Sequence, residues 1–170
     1  MQLTTLLALA SSAAAASISS RAARSAPRQL SCPRIGAHDA NFGVADLGPG
    51  AVATKTLNFA VGPTYVGGPC SLIGQFNAGF PVDLGGGEFS RLDVRDASSG
   101  ALVGSFPPLK VENNVVVETT VVTINSFRCE EDLAFTFEIA NDAGVEEDVN
   151  VTFTAGEQGG FFVQVGDQCN

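Results

Sequence analysis

Tryptophan is absent from this 170-residue chain, and tyrosine, histidine and methionine occur once each, as Tyr65, His38 and Met1. A single histidine removes whole classes of chemistry. Zinc sites gather several His and Cys ligands at short spacings, and no CxxC pair accompanies His38. A copper centre built on an N-terminal histidine needs a second histidine. A Ser-His-Asp triad would have to use His38, which sits in the loop-like IGAHDANFG, and no GxSxG occurs anywhere. GGG at 85–87 lacks the strand-to-helix setting of a phosphate cradle. A two-carboxylate glycosidase has 18 acidic residues to draw on. Such sites usually grip sugars with aromatic rings, so the scarcity of Trp and Tyr counts against it. The same scarcity counts against a simple sugar-stacking module. No enzyme activity, cofactor or metal is expected.

Basic residues are scarce and badly placed for binding nucleic acid. From Cys32 onward there are six (Arg34, Lys55, Arg91, Arg95, Lys110, Arg128) against all 18 acidic residues, a net charge of −12. Such a surface repels nucleic acid and anionic membranes. No apolar run after the first residues approaches the roughly 20 needed to span a bilayer, and GDQCN at the end lacks a lipid-anchor tail. A soluble, unanchored protein is expected.

What is present points to export. MQLTTLLALASSAAAA has the apolar stretch and small-residue Ala14-Ala15-Ala16 site of a secretory signal peptide, giving a leader at 1–16. Residues 17–38 form a flexible Ser/Ala/Arg-rich segment. Arg21, Arg24, Arg28 and Arg34, with no acid before Asp39, also fit a mitochondrial transit peptide. The four cysteines, Cys32, Cys70, Cys129 and Cys169, are even in number and widely spread. In an exported chain they read as two disulfides with three connectivities open. The nested one is favoured: Cys32–Cys169 would tie the domain's ends together and Cys70–Cys129 would cross-link its middle. Asn150-Val151-Thr152 is an N-glycosylation acceptor.

From about residue 40 the apolar pattern has period two, broken by Gly, Asn, Asp and Pro. That is the signature of strands joined by turns. TKTLNFAV, CSLIGQF, SRLDVRD, ALVGSF, VVVETTVVTI, LAFTFEI, VNVTFT and GGFFVQV read as about eight strands. ASSG makes a hairpin of the third and fourth, and NDAG makes one of the sixth and seventh. No helical period is sustained. The expectation is one all-β domain at 39–170, an antiparallel sandwich of Greek-key or jelly-roll type. VNVTFT would place Asn150 on the solvent face of its strand.

Two acidic triplets, Glu130-Glu131-Asp132 and Glu146-Glu147-Asp148, precede the sixth and seventh strands. In a hairpin they would lie at opposite ends of a ladder about 23 Å long, too far apart to share a metal. They read as solvated strand ends. A calcium site using Asn141, Asp142 and 146–148 would lack the EF-hand spacing. Most of the 12 phenylalanines fall on inward positions. Phe80, in the 77–88 loop, and Phe162, opposite Phe161, are the rings expected to be free. With Asp83 and Glu88, Phe80 makes 77–88 a candidate binding loop, beside a second loop at 108–114.

CSLIGQF, LDVRDASSGALVGSF, SFRCEEDLAFTFEI and VNVTFTAGEQGGFFVQV, in that order, resemble the But-two C-terminal domain family, β-rich domains common in fungal secreted proteins. The resemblance covers roughly residues 65–166 and leaves Cys32 and Cys169 outside. It implies an antiparallel sandwich, a Cys70–Cys129 link and export by a fungal cell, and it brings no catalytic residues. The expected role is non-catalytic binding or structure at the cell wall or surface, with a cell-wall polysaccharide or extracellular protein as partner. The alternative is a small effector or inhibitor that binds another protein.

Overall fold

The computed structural model describes residues 32–140 and 148–167, apart from the side chain of Glu88. The chain forms β1 (Arg34–Gly36), β2 (Asn41–Asp46), β3 (Val52–Ala53), β4 (Lys55–Ala60), β5 (Pro69–Phe76), β6 (Asp83–Gly85) and β7 (Leu92–Asp96). It continues with β8 (Leu102–Phe106), β9 (Val111–Glu112), β10 (Val115–Val116), β11 (Thr120–Arg128), β12 (Asp132–Ile139), β13 (Val149–Thr154) and β14 (Gly159–Val165). Two 3-10 turns, Pro63–Tyr65 and Gly87–Phe89, are the helical segments among the described residues. No described helix is long and apolar enough to cross a membrane.

The all-β antiparallel class expected from period-two patterning is the observed one, but the strands build three sheets. The first runs β1-β14-β5-β11, the second β4-β12-β7-β8 and the third β3-β2-β13-β6. β9 and β10 form a separate two-stranded ribbon. Alternation sends Leu57 and Phe59, Leu92 and Val94, Phe135 and Phe137, and Val149, Val151 and Phe153 into one core shared by all three sheets. Nine of the 12 phenylalanines are buried, so the rings serve packing. Phe161 of β14 is their hub, with ring centroids of Phe137, Phe42, Phe106, Phe76 and Phe153 between 4.4 and 6.0 Å away. Gly74 of β5 makes room for this cluster: a Cβ there would stand 2.4 Å from the Phe106 ring and 3.0 Å from Phe161.

Several expectations need correction. β12 and β13 are not a hairpin. β12 pairs with β4 and β7, and β13 with β2 and β6, in different sheets. The expected turn, 141–145, lies outside the described residues. VVVETTVVTI is two strands, interrupted where exposed Glu118 turns to Lys110 at 2.9 Å. Part of the segment assigned as a flexible tail at 17–38 is a strand, because Arg34–Gly36 pairs with Phe162–Gln164.

The hairpin expected at ASSG is present between β7 and β8. Its turn is organised by one carboxylate. Asp96 Oδ1 accepts hydrogen bonds from the Ser98 and Ser99 amides and from both hydroxyls, at 2.6–3.2 Å. The Ser98 and Ser99 hydroxyls, then the amides, hold the Asp96 pKa at about 2, below its ordinary 3.8. Because the folded value is depressed, this contribution is complete above about pH 4 and is lost as pH falls through about 2. The thermal midpoint of Asp96→Asn is therefore expected below wild type at pH 5, with the gap narrowing towards pH 2. A gap constant across that window would contradict it.

Cys70 of β5 and Cys129, the residue that follows β11, are joined, Cα to Cα 5.1 Å. Cys32 is also disulfide-bonded; its expected partner, Cys169, lies outside the described residues.

Candidate functional site

The outer face of the third sheet carries an uncommon run of small and polar residues. Pairing places Thr152 between Gly43 and Asp83, Thr154 beside Asn41, and Asn150 between Ala45 and Gly85. Paired residues of neighbouring strands point to the same side. The buried set Val149, Val151 and Phe153 points the other way, into the core. Asn41, Thr152, Thr154 and Asp83 therefore stand together on one surface, and all four are exposed.

The ribbon closes this surface on one side. Asn113 and Asn114, with φ of 51° and 61°, form the two-residue left-handed turn between β9 and β10. Asparagine tolerates that geometry far better than most residues. The Asn114 carbonyl accepts a hydrogen bond from Val82 N at 3.0 Å, and its Nδ2 donates to Asp83 Oδ1 at 3.2 Å. Val116 N donates to Phe80 O, and Gly79 N to Val116 O. The two loops singled out from the sequence, 77–88 and 108–114, are thus brought side by side. Between ribbon and sheet lies an open cleft of about 480 Å³, lined by Asn41, Pro81, Asp83, Asn114, Thr152 and Thr154. This lies within the roughly 300–1,000 Å³ of small-ligand sites. Thr154 Oγ1 donates to Asn41 Oδ1 at 3.2 Å, which orients the far wall.

The sequence-derived site residues separate in the structure. Asp83 lies in the cleft. Phe80 does not, for it is 5% exposed and packs on Phe76 and Phe153. A Cβ on Gly159 would meet its ring at 2.7 Å, so that glycine is what lets Phe80 sink. Glu88 lies in the Gly87–Phe89 turn, and its side chain is outside the described residues. Phe162 does face opposite Phe161 but is half-buried, its ring lying near Gly36 and Gly160. Asn150 points outward as expected yet is half-buried, its Oδ1 occupying the space beside Gly85. A glycan on Asn150 would stand on the same face as the cleft, two residues from Thr152. Asn114 belongs to the loop 108–114 singled out from the sequence, whereas Asn41, Thr152 and Thr154 were not singled out as site residues. The Asn-Asn pair between two Val-rich pieces was the signal that could have placed the ribbon.

Two other open grooves are formed by described residues. One, of about 530 Å³, lies beside the ribbon and is lined by Leu84, Pro108, Lys110, Val111, Glu112 and Val117. The other, of about 410 Å³, holds His38, Asn58 and Asp132. Among the described residues, each of these three grooves is lined by one carboxylate: Asp83, Glu112 and Asp132. The backbone of the first acidic triplet has a structural task, since Glu131 O accepts from Val61 N and Gly62 N at 2.8 and 3.0 Å. Glu146, Glu147, Asn141 and Asp142 lie outside the described residues. Among the described residues no three His, Cys, Asp or Glu side chains gather as metal ligands.

No family model, curated protein or solved structure matches this chain.

Proposed function

We propose that this is an exported, non-catalytic β-sandwich protein that binds cell-wall polysaccharide at the wall or cell surface. The observation that carries the reading is the open cleft on the third sheet. It offers five hydrogen-bonding side chains, Asn41, Asp83, Asn114, Thr152 and Thr154, in one place. Amides, hydroxyls and a carboxylate are the groups that match sugar hydroxyls. The buried Cys70–Cys129 disulfide supports an oxidising destination, and the acidic balance supports solubility there. The likeness of residues 65–166 to the But-two C-terminal domain family belongs to this proposal and adds no activity to it. Among the described residues one carboxylate lines each of these grooves, which supports a binding role over glycoside hydrolysis, a reaction that generally uses a pair.

A protein partner is the second reading, as an effector or inhibitor. It is favoured by the groove beside the ribbon, where Val117 is 43% exposed near Leu84 and Val111.

The test is co-sedimentation of the protein, with Asn150 shown by mass to be unmodified, on insoluble chitin and β-glucan at low and high salt. Retention that survives high salt is expected. Absence from both pellets would contradict the polysaccharide reading and leave the protein-partner reading in its place.

A further inference from the structure

We infer that the cleft selects saccharides that carry no negative charge, and that Asp83 and Asn114 set this preference. The inference rests on the binding role proposed for the cleft. Among the described residues, Asp83 is the one charged side chain lining it, and no described lysine or arginine lines it. Its carboxylate is exposed and receives one hydrogen bond from the Asn114 amide, at 3.2 Å. An ionised carboxylate has about four acceptor sites and no proton to give. Its remaining sites can take hydrogen bonds from a hydroxyl or an ammonium group. A uronate or sulfate in the same place would meet like charge, with no cation among the described lining residues to offset it.

The rest of the lining fits the same ligand. Thr152 and Thr154 both donate and accept, and Asn41 keeps its amide hydrogens for a ligand while its Oδ1 accepts from Thr154. Pro81 supplies an exposed apolar surface. Phe42 and Phe153 touch the cleft but are only 4% and 8% exposed, so no ring is free for stacking. Recognition is then by hydrogen bonding, with Asp83 and Asn114 presenting two planar groups side by side to adjacent positions of a sugar ring. Asn114 is held there by its left-handed turn and by its carbonyl bond to Val82.

The test is calorimetric titration of wild type, Asp83→Asn and Asn114→Gly with soluble oligosaccharides of matched length at low salt. The probes are a neutral β-glucan oligomer, a chitin oligomer, its deacetylated amino form and a uronic-acid oligomer. Wild type is expected to bind one or more of the uncharged or amino probes at least about tenfold more tightly than the acidic one. Asp83→Asn keeps the side chain's shape. It should weaken any amino-probe binding by about tenfold, since hydrogen bonds to charged groups carry more energy than neutral ones, and should narrow the discrimination against acid. Asn114→Gly preserves the left-handed backbone and should weaken every bound probe. Equal wild-type affinity for neutral and acidic probes, or discrimination unchanged in Asp83→Asn, would overturn the selectivity while leaving the binding role standing. Failure of wild type to bind any probe would overturn both.

Discussion

Phe161→Ala is expected to lower the unfolding free energy by about 3–5 kcal/mol, the range for deleting a buried phenylalanine ring. Phe161 is 2% exposed and sits where all three sheets meet. Its five ring neighbours come from each of them: Phe76 on β5 in its own sheet, Phe106 and Phe137 in the second, and Phe42 and Phe153 in the third. Such a site cannot collapse cheaply, because moving one ring inward uncouples it from another. Phe161→Leu, which retains much of the volume, is expected to cost less than half as much. Urea titration followed by far-UV circular dichroism reads both values. A loss under about 1 kcal/mol for the alanine variant would mean that the sheets do not share this hub.

Removing the Cys70–Cys129 bond, as the double variant Cys70→Ala/Cys129→Ala, is expected to cost about 3–4 kcal/mol. The two residues are 59 apart in sequence, and closing a loop of that length is worth about 4 kcal/mol in the chain-entropy model. Both are almost fully buried, at 2% and 1% exposure, so the double variant also leaves small voids. The bond ties β5 to the residue that follows β11, and these strands are already paired: Cys70 stands opposite Phe127, and Cys129 N donates to Gly68 O at 2.9 Å. The backbone pairing does not itself use the sulfur–sulfur bond, so the variant is expected to keep its strand content at low temperature and melt earlier. A midpoint within about 2 °C of wild type would contradict this stabilisation.

Strand identity was legible wherever alternation ran for five residues or more, as in β4, β7, β12, β13 and β14. There the apolar set marks both the element and its inward face. Partner choice was less accessible. The pattern of β12 and β13 invited a hairpin because sequential strands usually neighbour one another. Their true partners put Leu57 opposite Phe135 and Phe42 opposite Phe153, pairs brought together from far apart in the chain that no local pattern marks. The strands β1, β3, β6, β9 and β10, of two or three residues each, are too short to show any period. Phe80 was misplaced for a related reason. Nothing local marks a loop phenylalanine as buried when the space for it is made by Gly159, nearly 80 residues away.

The candidate site shows the same division. Asp83 and the two loops were legible as polar, turn-rich segments. Their closure into one cleft depends on hydrogen bonds between residues far apart in sequence, Val82 with Asn114 and Thr154 with Asn41.

The central claim is that this cleft is where the protein meets its ligand. Amide chemical-shift mapping of isotope-labelled protein, with a soluble oligosaccharide from whichever polymer retains it, tests that directly. Perturbations are predicted to concentrate at Asn41, Asp83, Asn114, Thr152 and Thr154. Perturbations centred on Leu84, Val111 and Val117, or on His38 and Asp132, would contradict the account and move the site to another groove.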